Sequence, residues 1–219
     1  MIAELPHDVQ GHIWDAYTDG LELRIADRHR QAASKVIEQI DVLCNRDAAA
    51  REHLLDWIAH MLQHPTVKPG RAIVLVGREG CGKRMLVNLL SRLVPTLLTS
   101  DPRRDVYGRY NSLLEAAQLV VIEDAERVHL PSIKATVSHD SVLINERYRP
   151  ARQITSYHRV MLLMKERKPW MSDARRFYPI QCTEMCMGTA EMANALREVV
   201  TTPAIDALRE VLSARPVQP

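Results

Sequence analysis

An α/β fold, with a mostly parallel sheet flanked by helices and a small helical subdomain ahead of it, is predicted by three features of this 219-residue sequence. Short apolar runs alternate with segments of helical spacing, the pattern of parallel strands joined by crossover helices. One run, Ala72-Ile73-Val74-Leu75-Val76, leads into Gly77-Arg78-Glu79-Gly80-Cys81-Gly82-Lys83-Arg84. Up to its last position this loop follows the phosphate-binding P-loop pattern G-x-x-x-x-G-K-[ST]. Met85, Leu86, Leu89, Leu90 and Leu93 then follow at helical spacing, so the loop stands between strand and helix as a P-loop must.

Residues 1–30 carry Trp14, Tyr17, Leu21, Leu23 and Ile25 without regular spacing. Val36, Ile37, Ile40 and Leu43 predict a helix from Ala32 to Cys44. A second helix is expected from about Asp47 to Leu62, with Leu54, Leu55, Ile58, Met61 and Leu62 on one face, ended by His64-Pro65 and Lys68-Pro69-Gly70. These two helices form the expected subdomain. After Ala72–Val76, the P-loop helix should stop near Val94 because Pro95 follows. Thr96–Thr99 is a short strand, and a polar loop from Ser100 to Asp105 leads to a helix ending near Gln118. Leu119-Val120-Val121-Ile122 is a buried strand followed at once by Glu123-Asp124. Ser141 to Tyr157 has the pattern of a hairpin with a basic tip from Arg147 to Arg152. Val160–Met164 and Phe177–Ile180 complete the strands, and Ala190 to Leu212 is a helix interrupted at Pro203. The expected divisions are residues 1–68 for the N-terminal segment and helical subdomain, 69–185 for the P-loop core and 186–219 for a C-terminal helical tail.

Composition narrows the function classes. The hydrophobic fraction of 46% is that of a globular chain, and no run approaches the roughly 20 apolar residues of a membrane span. Met1 to His12 has no secretory pattern, so a cytoplasmic protein of a bacterium or an infected host cell is expected, with no membrane partner. The four cysteines, Cys44, Cys81, Cys182 and Cys186, show no metal-site spacing and are expected as reduced thiols. Net charge is only +2, yet residues 147–176 carry nine Lys/Arg against Glu166 and Asp173. A local excess of this size points to anionic partners, phosphate or nucleic acid, unless a solvated face accounts for it.

The candidate chemistry lies in four places. Gly77, Gly80, Cys81, Gly82, Lys83 and Arg84 would hold a nucleotide: glycines let backbone N–H groups turn toward phosphates, the helix N-terminus adds its dipole, and Lys83 supplies a cation. Arg84 stands where a hydroxyl normally binds Mg²⁺. Glu123 and Asp124, at a strand end 40 residues beyond Lys83, are placed to hold the Mg²⁺ hydration shell and polarise an attacking water. The usual order is Asp then Glu; here it is reversed. Arg175 and Arg176 offer guanidiniums of the kind that stabilise transferred phosphate in trans, with no basis for choosing between them. Arg147, Tyr148, Arg149 and Arg152 combine cations with an aromatic, suited to tracking phosphates while a base stacks on the ring.

The order of these parts, from Val36 to Ile180, resembles the superfamily-3 helicase-like ATPase domain of phage, viral and mobile-element primase–helicases, an AAA+-like P-loop fold. The resemblance rests on Leu54–Ile58 through Pro65, Gly77–Lys83, Val120–Asp124, Ile133-Lys134, the basic hairpin, Val160–Met164 and Asp173–Phe177. It implies ATP and Mg²⁺ as cofactors, single-stranded DNA and other replication proteins as partners, and a homo-oligomeric ring, a hexamer, with ATP between subunits. The pattern departs at Arg84, at the reversed acidic pair, and after Val160–Met164. There the family places a sensor asparagine, and this chain has Lys165-Glu166-Arg167. Two functions follow: an ATP-hydrolysing helicase-like domain, or a catalytically degenerate nucleotide- or DNA-binding module for assembly or regulation. A P-loop small-molecule kinase is a third, disfavoured because no lid or acceptor pocket is evident. Without a primase module, the chain is expected to be a stand-alone subunit or part of a longer protein.

Overall fold

The computed structural model describes residues 31–183 and 202–217. The readings on residues 1–30, on Cys186 and on the tail from Ala190 to Thr201 lie outside them.

A five-stranded, wholly parallel sheet organises the chain, in the order β2-β3-β6-β1-β7. Its strands are β1 (Ala72–Val76), β2 (Thr96–Thr99), β3 (Leu119–Ile122), β6 (Arg159–Met164) and β7 (Phe177–Gln181). A separate antiparallel hairpin joins β4 (Ser141–Ile144) to β5 (Arg152–Thr155). The helices are α1 (residues 31–43), α2 (Ala48–Gln63), α3 (Lys83–Leu93), α4 (Pro102–Asp105), α5 (Ser112–Glu115), α6 (Leu130–Ser138) and α7 (Thr202–Ser213). The expected α/β class, with helices ahead of a mostly parallel sheet, is what the structure has.

Side-chain alternation along each strand divides the core in two. Ile73, Leu75, Leu119, Val121, Met161, Leu163 and Ile180 point to one face, where α1, α2, α3 and α7 cover them. Val74, Val76, Val120, Ile122, Leu162 and Met164 point to the other, against α6, the hairpin base and the loop carrying Val106 and Leu114. Strands covered on both faces are apolar throughout, which is why β1, β3 and β6 read as unbroken apolar runs.

Local chemistry sets the ends of α2. Asp47 caps it, its Oδ1 accepting from the N–H groups of Ala49 and Ala50 at 2.9 and 3.1 Å. At the far end Arg159, buried at the start of β6, donates to the carbonyls of His64 and Val67 at 2.6 and 2.7 Å and to His60 Nδ1 at 3.1 Å. Burial holds the Arg159 guanidinium down at about 10. The same lead-in loop carries Lys68, whose ammonium donates to the carbonyls of Thr136 and His139 and to Ser156 Oγ, each at 2.7 Å.

Two expectations are corrected. The polar loop expected from Ser100 to Asp105 holds a one-turn helix, α4, and the helix expected to end near Gln118 is the single turn α5, because Gly108 folds the chain back over α4. A Cβ on Gly108 would lie 2.4 Å from the Arg103 carbonyl oxygen. Pro203 lies in the first turn of α7, where a missing N–H costs little, and the residues ahead of Thr202 lie outside the described ones. Arg152 is not at the hairpin tip but in β5, opposite Ile144. Among the described residues no helix is long and apolar enough to cross a membrane.

Candidate functional site

In a parallel sheet every strand points the same way, so the residues that leave β1, β3 and β6 emerge together at one edge. Register places Val76 beside Met164 and Ile122 beside Leu162. The glycine-rich loop after β1, Glu123-Asp124 after β3 and Lys165 after β6 therefore converge. They line an open cleft of about 420 Å³ with Arg78, Glu79, Gly80, Cys81, Gly82, Lys83, Arg84 and Met85. The switch point of such a sheet is where ligands bind in open α/β folds.

Two glycines make the loop. Gly80 and Gly82 have φ of 83° and 100°, a left-handed backbone that only glycine adopts without strain, and Gly82 is the N-cap of α3. The amides of the first turn of α3 thus face the cleft with the positive end of the helix dipole. Lys83, the first residue of α3, folds over the loop. Its Nζ donates to the carbonyls of Gly77 and of Arg78, the latter at 2.9 Å, and lies 3.6 Å from Cys81 Sγ.

Beneath the loop Cys81 and Cys182 meet, though 101 positions separate them in sequence. Cys182, reinforced by Lys83, draws Cys81 down to about 6; Cys182 itself is pushed up by Cys81 and by burial. Both sulfurs are free and buried. Gly77 has its place for steric reasons: a Cβ there would lie 2.8 Å from Cys182 Cβ and 3.0 Å from Cys81 Sγ.

The cleft sets four cations, Arg78, Lys83, Arg84 and Lys165, against Glu79, Glu123 and Asp124. Lys165 Nζ pairs with Glu79 at 2.6 Å, which raises the lysine and lowers the carboxyl. The Lys165 amide donates to Glu126 Oε1 at 2.6 Å, fixing the turn after β6. Arg84 Nη1 donates to Glu123 Oε1. Asp124 is exposed with φ of 48°, a left-handed conformation that aspartate tolerates better than most residues.

The residues present fit a nucleotide's phosphates: a glycine loop, a helix N-terminus and a lysine share one open cleft. They do not fit a P-loop Mg²⁺. That ion needs a hydroxyl at position 84 and an available strand-end carboxylate. Here position 84 carries a guanidinium and Glu123 is bonded to it, which leaves Asp124 as the strand-end carboxylate of the cleft without the hydroxyl that would share the ion. Among the described residues no cluster of three or more His, Cys, Asp or Glu could hold a metal.

The remaining expected residues lie away from this cleft. Arg175 and Arg176 precede β7, at the opposite edge of the sheet. Arg176 pairs with Asp173 at 3.1 Å and donates to Ser138 Oγ at 3.1 Å, while Arg175 is 86% exposed and lines a separate cavity with Trp57 and Arg71. Neither reaches the P-loop of its own chain. At the hairpin, Arg152 pairs with Glu115 and Arg149 with Glu146, and Tyr148 is fully exposed. Arg147 lies over the ring of Tyr110, 5.2 Å from its centroid, and Arg109 faces the same ring at 5.4 Å. The nine cations of residues 147–176 therefore do not form one patch, since Arg159 is internal and several others are paired. Sequence reasoning missed Tyr110, Arg109, Glu79 and Cys182. It noted Lys165 only as an absent asparagine, although its place directly after β6 puts it beside the loop.

A family model described as "Family of unknown function (DUF5906)" matches residues 75–176, a stretch holding Lys83, Arg84, Glu123, Asp124, Lys165 and the hairpin. The apo A form of the NrS-1 C-terminal region superposes with a TM-score of 0.69 over 84% of this chain and 46% of that one, at 20% identity. A second apo structure of that region gives 0.68 at 17% identity over the same shares. A JCV helicase structure aligns over 98% of this chain and 71% of its own, at 14% identity and a TM-score of 0.46. An ATP-dependent lipid A-core flippase of Shewanella frigidimarina is 32% identical over 89 residues, 41% of this chain and 14% of the flippase. The chain thus spans under half of the NrS-1 region and a small part of the flippase. The likeness to the NrS-1 region is one of fold.

Proposed function

We propose that this chain is an ATP-binding, helicase-like domain that acts on single-stranded DNA in the replication of a phage, virus or mobile element. One observation carries the reading: the left-handed glycines Gly80 and Gly82 set Lys83 and the N-terminus of α3 over an open cleft at the C-terminal edge of a parallel sheet. In such a domain Arg147, Tyr148 and Arg149 at the hairpin, with Arg109 and Tyr110 beside them, contact the strand. Copies of the chain form a ring, a hexamer by resemblance, in which Arg175 or Arg176 of one subunit faces the phosphates held by the next. Their distance from their own P-loop supports a trans role over a cis one. Other replication proteins complete the assembly, and the cytoplasm is its place.

A second reading has an observation of its own. Glu123 is occupied by Arg84, which favours a module that binds nucleotide and DNA without turnover. Phosphate release from ATP with magnesium and single-stranded DNA separates the two: stimulated release supports the ATPase, and binding without release supports the module. Absence of nucleotide binding by the wild-type chain refutes both.

A further inference from the structure

The misfit between this cleft and Mg²⁺ leads to a statement about what the cleft does take. We infer that it binds the metal-free form of a nucleoside triphosphate, with Arg84, held in place by Glu123, in the position that a divalent cation fills in other P-loops. The inference rests on the proposed nucleotide binding and specifies the form bound.

The geometry supports it from three sides. Arg84 is the second residue of α3, so its side chain leaves the first turn, where the amides face the phosphates. It spans from that turn to the end of β3, across the gap that a bound cation bridges by ligating a P-loop hydroxyl and a strand-end carboxylate. Its bond to Glu123 uses Nη1 alone, which leaves Nε and Nη2 for phosphate oxygens; its side chain is 57% exposed on the cleft. A guanidinium suits this task because it stays charged and presents its donors as a rigid fork matched to phosphate.

Charge completes the case. Lys83, Arg84, Arg78 and Lys165 surround the cleft, and the anions Glu79 and Glu123 each hold one of these cations. Glu123 orients Arg84 as Glu79 orients Lys165. A divalent cation entering beside Glu123 would have to displace Arg84 and then remain next to it, so like charges oppose it. The phosphates need no such displacement, because Lys83 has only to exchange the carbonyls of Gly77 and Arg78 for phosphate oxygens.

The test is calorimetric titration of the full chain with ATP, once in excess EDTA and once in excess magnesium. The expected dissociation constant is lower in EDTA by about tenfold or more, because excess magnesium withdraws the metal-free form into its complex; equal constants in the two buffers overturn the inference. Arg84→Ser weakens binding in EDTA by about tenfold or more, the loss of hydrogen bonds between charged groups, and magnesium then restores part of it. Arg84→Lys, which keeps a cation without the fork, falls between the two and serves where the serine variant does not fold. Glu123→Gln, which loosens Arg84 without removing it, weakens EDTA binding by less than Arg84→Ser does, whereas a metal-holding Glu123 would make the same variant lose affinity in magnesium alone. Binding seen only with magnesium overturns the inference and leaves the nucleotide reading standing. Unchanged EDTA binding in Arg84→Ser also overturns it. No binding in either buffer refutes the nucleotide reading itself.

Discussion

Gly77→Ala is the smallest change that tests whether the P-loop is seated as described. The added methyl carbon would lie 2.8 Å from Cys182 Cβ, 3.0 Å from Cys81 Sγ and 3.7 Å from Cys182 Cα. Apolar carbons settle at about 3.5–4.0 Å, so something must retreat by about 0.7 Å. Cys182 cannot easily do so. Its amide donates to the Val76 carbonyl at 2.7 Å, and the residue before it pairs with Val76 in the sheet. The loop must yield instead, carrying Cys81 and the two left-handed glycines with it. Overpacking of this kind costs about 1–3 kcal/mol, and with a fixed strand on one side the upper half of that range applies. For a domain of this size, that loss lowers the midpoint of thermal unfolding by about 4–10 °C. Urea unfolding reads the loss, and ATP titration reads the displaced loop as weaker binding. Cys182→Gly removes the atom in the way, so Gly77→Ala with Cys182→Gly should cost about 1 kcal/mol or more less than the sum of the single variants. Stability of Gly77→Ala within about 0.5 kcal/mol of wild type, or strict additivity in the double variant, would refute this seating of the loop.

Two other perturbations probe the frame that holds the site. Arg159→Met leaves the part-buried carbonyls of His64 and Val67 without their charged donor; a loss of about 1–3 kcal/mol in urea unfolding is expected, reduced from the full hydrogen-bond cost because a buried cation is also removed. Unchanged stability would mean that the guanidinium merely fills space. The second is a pH dependence. His158 Nε2–H donates to the Leu114 carbonyl at 2.9 Å, so its Nδ1 accepts from Ser156 Oγ at 3.1 Å, and burial together with nearby Lys68 holds the ring below its ordinary value. His53 and His60 are lowered in the same sense, first by burial. The unfolded chain therefore takes up protons near the ordinary value of 6.5 while the fold resists them, so stability present above that pH is lost as pH falls below it. His158→Gln should flatten the decline between about pH 7.5 and about pH 5.5, and an unaltered slope would exclude His158 as a contributor.

Much of this architecture was legible because the strands are buried on both faces and sharply punctuated. Gly77, Pro95 and Glu123 each stand directly beyond or before an apolar run, so β1, β2 and β3 were placed to the residue. The glycine turn between β1 and α3 was legible for the same reason: Gly80 and Gly82 have a local conformational duty. The segment from Ser100 to Gln118 was not, since tertiary bonds decide its course. Asn111 ties it to the hairpin through the Leu143 carbonyl at 3.0 Å and the Asn145 amide at 2.8 Å, which no local pattern announces. Arg159 was counted as a surface cation because a sequence does not show that five backbone carbonyls, those of His60, His64, Pro65, Val67 and Tyr157, would gather around it. Arg84 was read as an anomaly of the loop. Its bond to Glu123 joins two of the anomalies, the lost hydroxyl and the altered acidic pair, into one feature.

Phosphate binding at Gly77–Lys83 is the central claim, and it is tested most directly by titrating wild type and Lys83→Ala with ATP under identical conditions. Lys83 contributes only its cation and three loop hydrogen bonds, so the variant should keep the fold, checked by an unchanged circular dichroism spectrum. Wild type is expected to bind, and Lys83→Ala to lose about tenfold or more in affinity, the worth of a charge-assisted bond to phosphate. Equal affinity in the two folded proteins would place the nucleotide elsewhere and contradict the account.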